Sequence, residues 1–159
     1  NEAHKGRMAS VAFHAFNQFV REGKVKLFVG SGGFDDGEQR RDFVHVDDVV
    51  NVNLHFLEHR AASGIFNCGT GQAQSFNDVA RAVVNGVRAG RGETELSLRD
   101  MIAEGFVEYI PFPSQLVGKY QSFTEADLGL LREAGYGESF MSVEQGVGSY
   151  VAHLLGEQS

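Results

Sequence analysis

Cysteine, tryptophan and proline are nearly missing from this chain. Its 159 residues include one cysteine, Cys68, two prolines and no tryptophan. A lone cysteine excludes an internal disulfide and fits a reducing compartment. Positive charge is in deficit too: 14 Lys and Arg face 21 Asp and Glu, for a formal net charge of −7. That balance argues against nucleic acid or an anionic membrane as the main partner, although a few clustered cations can still hold a small anion. No apolar run approaches the roughly 20 residues of a membrane-spanning helix, and no signal peptide opens the chain. No Gly-x-Gly-x-x-Gly or Gly-x-x-Gly-x-x-Gly follows an opening strand, and none of the four tyrosines has lysine at the fourth position after it. The chain lacks an initiator methionine and starts abruptly at Asn1 among polar residues. The expectation is a cytoplasmic protein missing its beginning.

What remains suffices for one globular domain, with 42% of residues hydrophobic. Met8, Val11, Ala12, Ala15, Phe16 and Phe19 recur at helical spacing up to Gly23, with Arg7, Ser10, His14 and Gln18 on the polar face. Residues 25–29 read as a strand, and residues 30–37 read as a loop. Phe43, Val44 and Val46 suggest a short buried strand, after which Asp47 is expected to cap a helix bearing Val50, Leu54 and Leu57. Residues 64–68 look like a buried strand entering the tight turn Gly69-Thr70-Gly71, with Cys68 as a small core side chain.

Ser75 with Asp78 starts a helix through Val87 in capping-box style. Residues 88–99 read as an exposed insertion. Val107–Ile110 is a strand ended by Pro111-Phe112-Pro113. Thr124 with Asp127, and Ser142 with Gln145, mark two closing helices, the last with Val143, Val147, Tyr150, Val151 and Leu154 on its apolar stripe. The alternation of strands and helices gives an α/β class. His55 and His59 have the i, i+4 spacing of metal ligands, but no third ligand accompanies them, so no metal site is expected.

One stretch carries more chemistry than the rest. Arg40-Arg41-Asp42-Phe43-Val44-His45-Val46-Asp47-Asp48-Val49 resembles the Arg-Asp-Phe-x-x-Val-x-Asp-Val signature of sugar-nucleotide enzymes in the extended short-chain dehydrogenase/reductase family. Arg41 offers a planar, permanently charged fork suited to a diphosphate. Its rival reading is a structural ion pair with Asp47 or Asp48.

Further stretches narrow the likeness to the ADP-heptose 6-epimerases. They are Glu2-Ala3-His4-Lys5-Gly6-Arg7-Met8-Ala9-Ser10, Lys26-Leu27-Phe28-Val29-Gly30-Ser31, Gly64-Ile65-Phe66-Asn67-Cys68-Gly69-Thr70-Gly71, Glu108-Tyr109-Ile110-Pro111-Phe112-Pro113 and Gly118-Lys119-Tyr120-Gln121-Ser122-Phe123-Thr124.

This resemblance implies the C-terminal part of an extended Rossmann-type enzyme. Residues 1–159 would form the substrate-binding portion, and segments around 41–87 would complete a parallel sheet. The NADP-binding half, with the Tyr-x-x-x-Lys base, would lie upstream. The implied reaction inverts C6 of an ADP-heptose by oxidation to an aldehyde and re-reduction with NADP, and the chain by itself is expected to be inactive. The rival readings are another sugar-nucleotide epimerase or dehydratase of the superfamily, or a non-catalytic sugar-nucleotide-binding module.

By the same resemblance Lys5 is the second catalytic base and also a cofactor contact. Arg7, His14, Phe28, Val29, Gly30, Ser31, Arg41 and Tyr120 occupy substrate-contact positions. Arg7 departs from the small polar residue expected there, and the loop from Gly32 to Gln39 is longer than in the shortest relatives. Against these roles stand plainer ones: Lys5 as a solvated lysine, His14 as a surface histidine, and Tyr120 as a core residue with its hydroxyl satisfied. A homo-oligomer is expected from the resemblance alone.

Overall fold

Ser10, Ser75, Ser97 and Ser142 each accept a hydrogen bond from the backbone N–H three residues on, and each starts a helix. A cap of this kind satisfies an amide that the first turn leaves unpaired. The computed structural model describes residues 2–60, 63–114 and 120–157. After a 3-10 segment, Ala3–Met8, come α1 (Val11–Glu22), β1 (Val25–Phe28), β2 (Arg40–Arg41) and α2 (Val46–Glu58). β3 (Gln74–Ser75), α3 (Phe76–Gly90), α4 (Leu98–Ala103), β4 (Val107–Ile110), α5 (Gly129–Glu133) and α6 (Val143–Gly156) complete the order.

Two small sheets organise these elements. β1 pairs parallel with β4, in the register Val25 to Val107 and Phe28 to Ile110. β2 pairs antiparallel with β3, and an isolated parallel bridge joins Arg40 to Phe123 on the other side. The main core lies where α1, α3 and α6 meet the β1–β4 pair, around Phe16, Val25, Val83, Val84, Val87, Met101 and Val151. Truncating such a residue costs about 2–5 kcal/mol, because the lost transfer free energy is joined by a cavity term. A second, smaller core gathers Val52, Leu131 and Tyr136 under Phe56, Phe66, Leu128 and Phe140.

The class and the order of the main elements follow the sequence expectation, and both capping boxes form as expected. Several details differ. Helix α1 begins only at Val11, and Met8 is 85% exposed, because Ser10 takes the cap position. His45, not Asp47, caps α2 by accepting the Asp47 N–H at 3.3 Å. Asp47 sits in the first turn instead, where a negative charge still suits the helix dipole.

Residues 42–45 form no strand, and Val44 and Val46 are exposed. Residues 64–68 form none either, and Ile65 is 93% exposed. A strand needs a neighbour to satisfy its amides and carbonyls, and no described residue pairs with this segment. Cys68 is correspondingly exposed instead of buried.

The 88–99 stretch is largely exposed, as expected, and is held by local contacts. Arg88 reaches the Thr94 carbonyl and the Glu93 carboxylate, the Asn85 side chain brackets the Leu96 backbone, and Ser97 caps α4. Thr124 and Asp127 do not start a helix. The Thr124 hydroxyl instead accepts the Asp42 N–H, and α5 begins at Gly129.

Candidate functional site

Strand β1 ends at Phe28, and the chain returns to β2 through the loop of residues 30–39. That return is closed by hydrogen bonds. The Gly37 N–H donates to the Phe28 carbonyl at 3.0 Å, the Gly30 N–H to Asp36 Oδ1 at 2.7 Å, and the buried Gln39 side chain to the Val29 carbonyl at 3.2 Å. The loop therefore delivers Arg40 and Arg41 beside the start of its own excursion. Residues 120–124 run along the other edge of β2, where the Arg40 N–H donates to the Ser122 carbonyl and the Thr124 N–H to the Arg40 carbonyl.

These connections assemble an aromatic wall. Phe28 meets Phe112 edge-on at 5.2 Å, and Phe112 meets Tyr120 at 5.3 Å. Tyr120 then faces Phe76 at 6.4 Å, and Phe76 packs edge-on against Phe43 at 5.6 Å. The Arg41 guanidinium lies over the Tyr120 ring, 5.0 Å from its centroid, and donates to the Arg40 carbonyl. Arg41 has no ion pair among the described residues, so neither Asp47 nor Asp48 takes its charge. Burial pushes the Tyr120 phenol above its usual range, against the opposing pull of Arg41. A cation held over one ring of an aromatic wall can grip an anionic phosphate while a flat base lies against the rings.

Asp42, the next residue of the signature, faces inward. Its carboxylate accepts from the Thr70 N–H and hydroxyl, both at 2.6 Å, and from the N–H groups of Gly71 and Ala126 at 2.9 and 3.0 Å. Burial would raise its pKa, but these four donors outweigh it and hold the carboxyl below the usual range. The Gly69-Thr70-Gly71 turn therefore spends its amides on an internal carboxylate, not on a phosphate. A Cβ on Gly69 would come within 2.6 Å of that carboxylate, so the turn must stay bare. This turn is thus no cradle for a dinucleotide pyrophosphate.

Lys5, Arg7 and His14 stand elsewhere. Lys5 and Arg7 lie on the exposed 3-10 segment, and His14 is exposed on α1 with its ring near Phe13. None of the three touches Arg41 or Tyr120 among the described contacts. Their segment is pinned by Glu2, whose carboxylate accepts from the Ser10 N–H and hydroxyl, both at 2.7 Å, and from the Tyr150 hydroxyl of α6 at 2.9 Å. The same carboxylate holds the Lys5 ammonium at 3.4 Å. Burial pushes the Glu2 pKa up, but the Ser10 and Tyr150 hydrogen bonds and the Lys5 charge bring it down to about 2.

Of the expected site residues, the structure joins Phe28, Val29, Gly30, Ser31, Arg41 and Tyr120 around one loop and one wall. It leaves Lys5, Arg7 and His14 as a second group. Gly118 and Lys119, next to Tyr120, lie outside the described residues. Reading the sequence missed Phe112, Phe76, Asp42, Gln39 and Glu2. The Pro-Phe-Pro turn was the visible hint for Phe112, while the anchoring role of Asp42 depends on partners 28 to 84 residues away. His55 and His59 stack on each other at 4.2 Å, and each bonds a backbone carbonyl.

Comparison with known proteins finds likeness along most of the chain. Residues 1–69 match the NAD dependent epimerase/dehydratase family. An ADP-L-glycero-D-manno-heptose-6-epimerase from Thiobacillus denitrificans is 60% identical over 154 residues, 97% of this chain and 46% of the relative's length. The chain therefore spans about half the length of the curated relative it matches. Among solved structures, the Helicobacter pylori ADP-L-glycero-D-manno-heptose-6-epimerase superposes with a TM-score of 0.68 at 24% identity, over 97% of this chain and 40% of that one. An NAD-dependent NDP-hexosamine 5,6-dehydratase of tunicamycin biosynthesis gives 0.61 at 23% identity, over 92% and 40%. The chain thus has the Rossmann-like α/β fold of these epimerases and dehydratases and, along nearly all of its length, is similar to one part of an ADP-heptose 6-epimerase.

Proposed function

We propose that this chain is the ADP-sugar-binding part of an ADP-L-glycero-D-manno-heptose 6-epimerase. One observation carries the reading: Arg41 lies stacked on Tyr120 within an aromatic wall whose far end is Phe28, where the 28–31 turn begins. Arg41 grips the diphosphate, the wall receives the adenine, and Tyr120 and the Gly30–Ser31 backbone bound the nucleotide. Phe28 and Val29 set the floor of that turn. Arg7 and His14 reach toward the sugar end. Lys5 exchanges a proton with the heptose C6 hydroxyl and reaches the cofactor, while Glu2 holds its ammonium in the resting state.

The hydride chemistry of such an epimerase belongs to a bound NADP. On this reading Lys5 is the second base and a cofactor contact, while the Tyr-x-x-x-Lys base and the main NADP site belong to the rest of the parent enzyme. The segments around 41–87 then complete a Rossmann-type sheet. The uncovered 64–68 segment and the apolar outer face of α2 support that assignment. On the same reading the parent is a cytoplasmic homo-oligomer, and its product is a lipopolysaccharide core precursor.

Calorimetric titration with nucleotides tests the proposal. ADP should bind this chain, and UDP and dTDP should bind at least about tenfold more weakly, a difference of 1.4 kcal/mol. Equal affinity for UDP would favour another epimerase or dehydratase of the superfamily. Arg41→Ala should weaken ADP by roughly 10- to 100-fold, the loss of a charge-assisted pair. Its thermal midpoint should barely move, because Arg41 supports little but the Tyr120 ring.

A further inference from the structure

Asn77, the second residue of α3, is buried at 4% exposure, and every hydrogen-bonding group it carries is engaged. Its side-chain oxygen accepts from the Tyr109 hydroxyl of β4 at 2.8 Å. Its side-chain nitrogen donates to the Asp36 carbonyl at 2.9 Å and to the Glu38 carboxylate at 2.7 Å. Its backbone N–H donates to the Gly37 carbonyl at 3.1 Å. Gly37 sits at φ +69°, and any Cβ there would collide with the Asn77 carboxamide. Helix, strand and loop therefore converge on one side chain.

Every loop residue that Asn77 touches is one or two steps from a residue of the nucleotide site. Asp36, whose carbonyl Asn77 holds, grips the Gly30 N–H with its carboxylate. Gly37 donates to the carbonyl of Phe28, the first ring of the aromatic wall. Glu38 precedes Gln39, which ties Val29, and Arg40-Arg41 follow at once. From this we infer that Asn77 is a positioning residue for nucleotide binding: it locks the 30–39 loop, and the loop sets where Arg41 and the Phe28–Ser31 turn meet the ADP group. The inference rests on the nucleotide-site reading proposed above and deepens it.

Asn77→Asp isolates the effect. The new carboxylate keeps the acceptor for Tyr109 and sits in the first turn of α3, where a negative charge suits the helix dipole. It loses both donors and faces the Asp36 carbonyl and the Glu38 carboxylate across hydrogen-bond distance. Adding Glu38→Gln restores a donor to that contact.

Two measurements on the full chain serve as the test: ADP affinity by calorimetry and amide hydrogen exchange. Asn77→Asp should weaken ADP by about tenfold, the order expected for a misplaced charged hydrogen bond. It should also speed exchange at Gly30 and Gly37 while the α6 amides keep their protection. The Asn77→Asp/Glu38→Gln protein should recover most of the affinity. If wild type binds ADP and Asn77→Asp binds within twofold of it, the positioning role is overturned and the nucleotide site stands. If α6 loses protection together with the loop, Asn77 is a stability residue and the positioning role is again overturned. Absence of ADP binding by wild type sinks the nucleotide-site reading, and the positioning role with it.

Discussion

At the scale of single residues, two carboxylates that the sequence reading gave no part in the site, Asp42 and Glu2, tie distant stretches of this chain together. Asp42 gathers four donors from two stretches of chain, so it ties the end of β2 to the 69–71 turn and to the segment before α5. Replacing it leaves partly buried amides without an acceptor. Asp42→Ala should therefore cost about 2–4 kcal/mol, read from urea unfolding midpoints, and a cost below about 1 kcal/mol would contradict the anchoring role.

Glu2 is bound in the same way, and its titration is visible as pH dependence. Its folded pKa is depressed from 4.5 to about 2. Its contribution to stability is therefore complete above 4.5 and lost as pH falls toward about 2. Asp42, also depressed, acts in the same direction. Unfolding midpoints should fall as the solution is acidified across that window. Glu2→Gln should flatten the slope, and a slope unchanged by that substitution would count against the Glu2 network. Neither anchor could be read from the sequence, because backbone N–H groups leave no mark in residue identities and the fold alone brings the Tyr150 and Thr70 hydroxyls to Glu2 and Asp42.

At the scale of elements, what the sequence made legible was local. The capping boxes at Ser75 and Ser142 and the left-handed glycine stop at Gly23 need only neighbours within one turn, and all three form. The β1 and β4 strands were legible from their apolar runs, while their parallel pairing waited on the fold. The strand expected at 64–68 fails for the complementary reason, since its propensity is local but its hydrogen bonds are not.

The α3–α6 pair shows packing overriding propensity. Glycine inside a helix ordinarily costs stability relative to alanine. Gly86, however, lies where a Cβ would stand 3.0 Å from Val151 Cγ1 across the interface. Gly86→Val should thus cost about 1–3 kcal/mol by overpacking, measured as a lowered thermal midpoint. An unchanged or raised midpoint would mean that α6 moves aside freely.

At the scale of the whole molecule, the burial is lopsided. The cores under α1, α3 and α6 and under α5 are closed, but α2 leaves Val46, Val50, Leu54 and Leu57 exposed, and Ile65 stands open to solvent. An apolar helix face left open in this way is a surface on which further protein can pack. Val50→Glu with Leu54→Lys should leave the unfolding free energy within about 0.5 kcal/mol, because neither side chain is part of either core. The same pair should reduce any self-association seen by sedimentation. A marked loss of stability would show that the face is packed after all.

Residue chemistry at short range was determined by the sequence alone: the capping boxes at Ser75 and Ser142, the stop at Gly23, the α/β class, and a signature that offers Arg41 as a fork of positive charge. Tertiary structure decided which groups meet. It turned Asp42 inward, gave the α2 cap to His45, set Arg41 on Tyr120, and closed the 30–39 loop on Asn77. The division has a physical cause. Caps and periodicity are satisfied within a turn or two of chain, whereas a buried polar group takes whichever partner the packed core brings within about 3 Å.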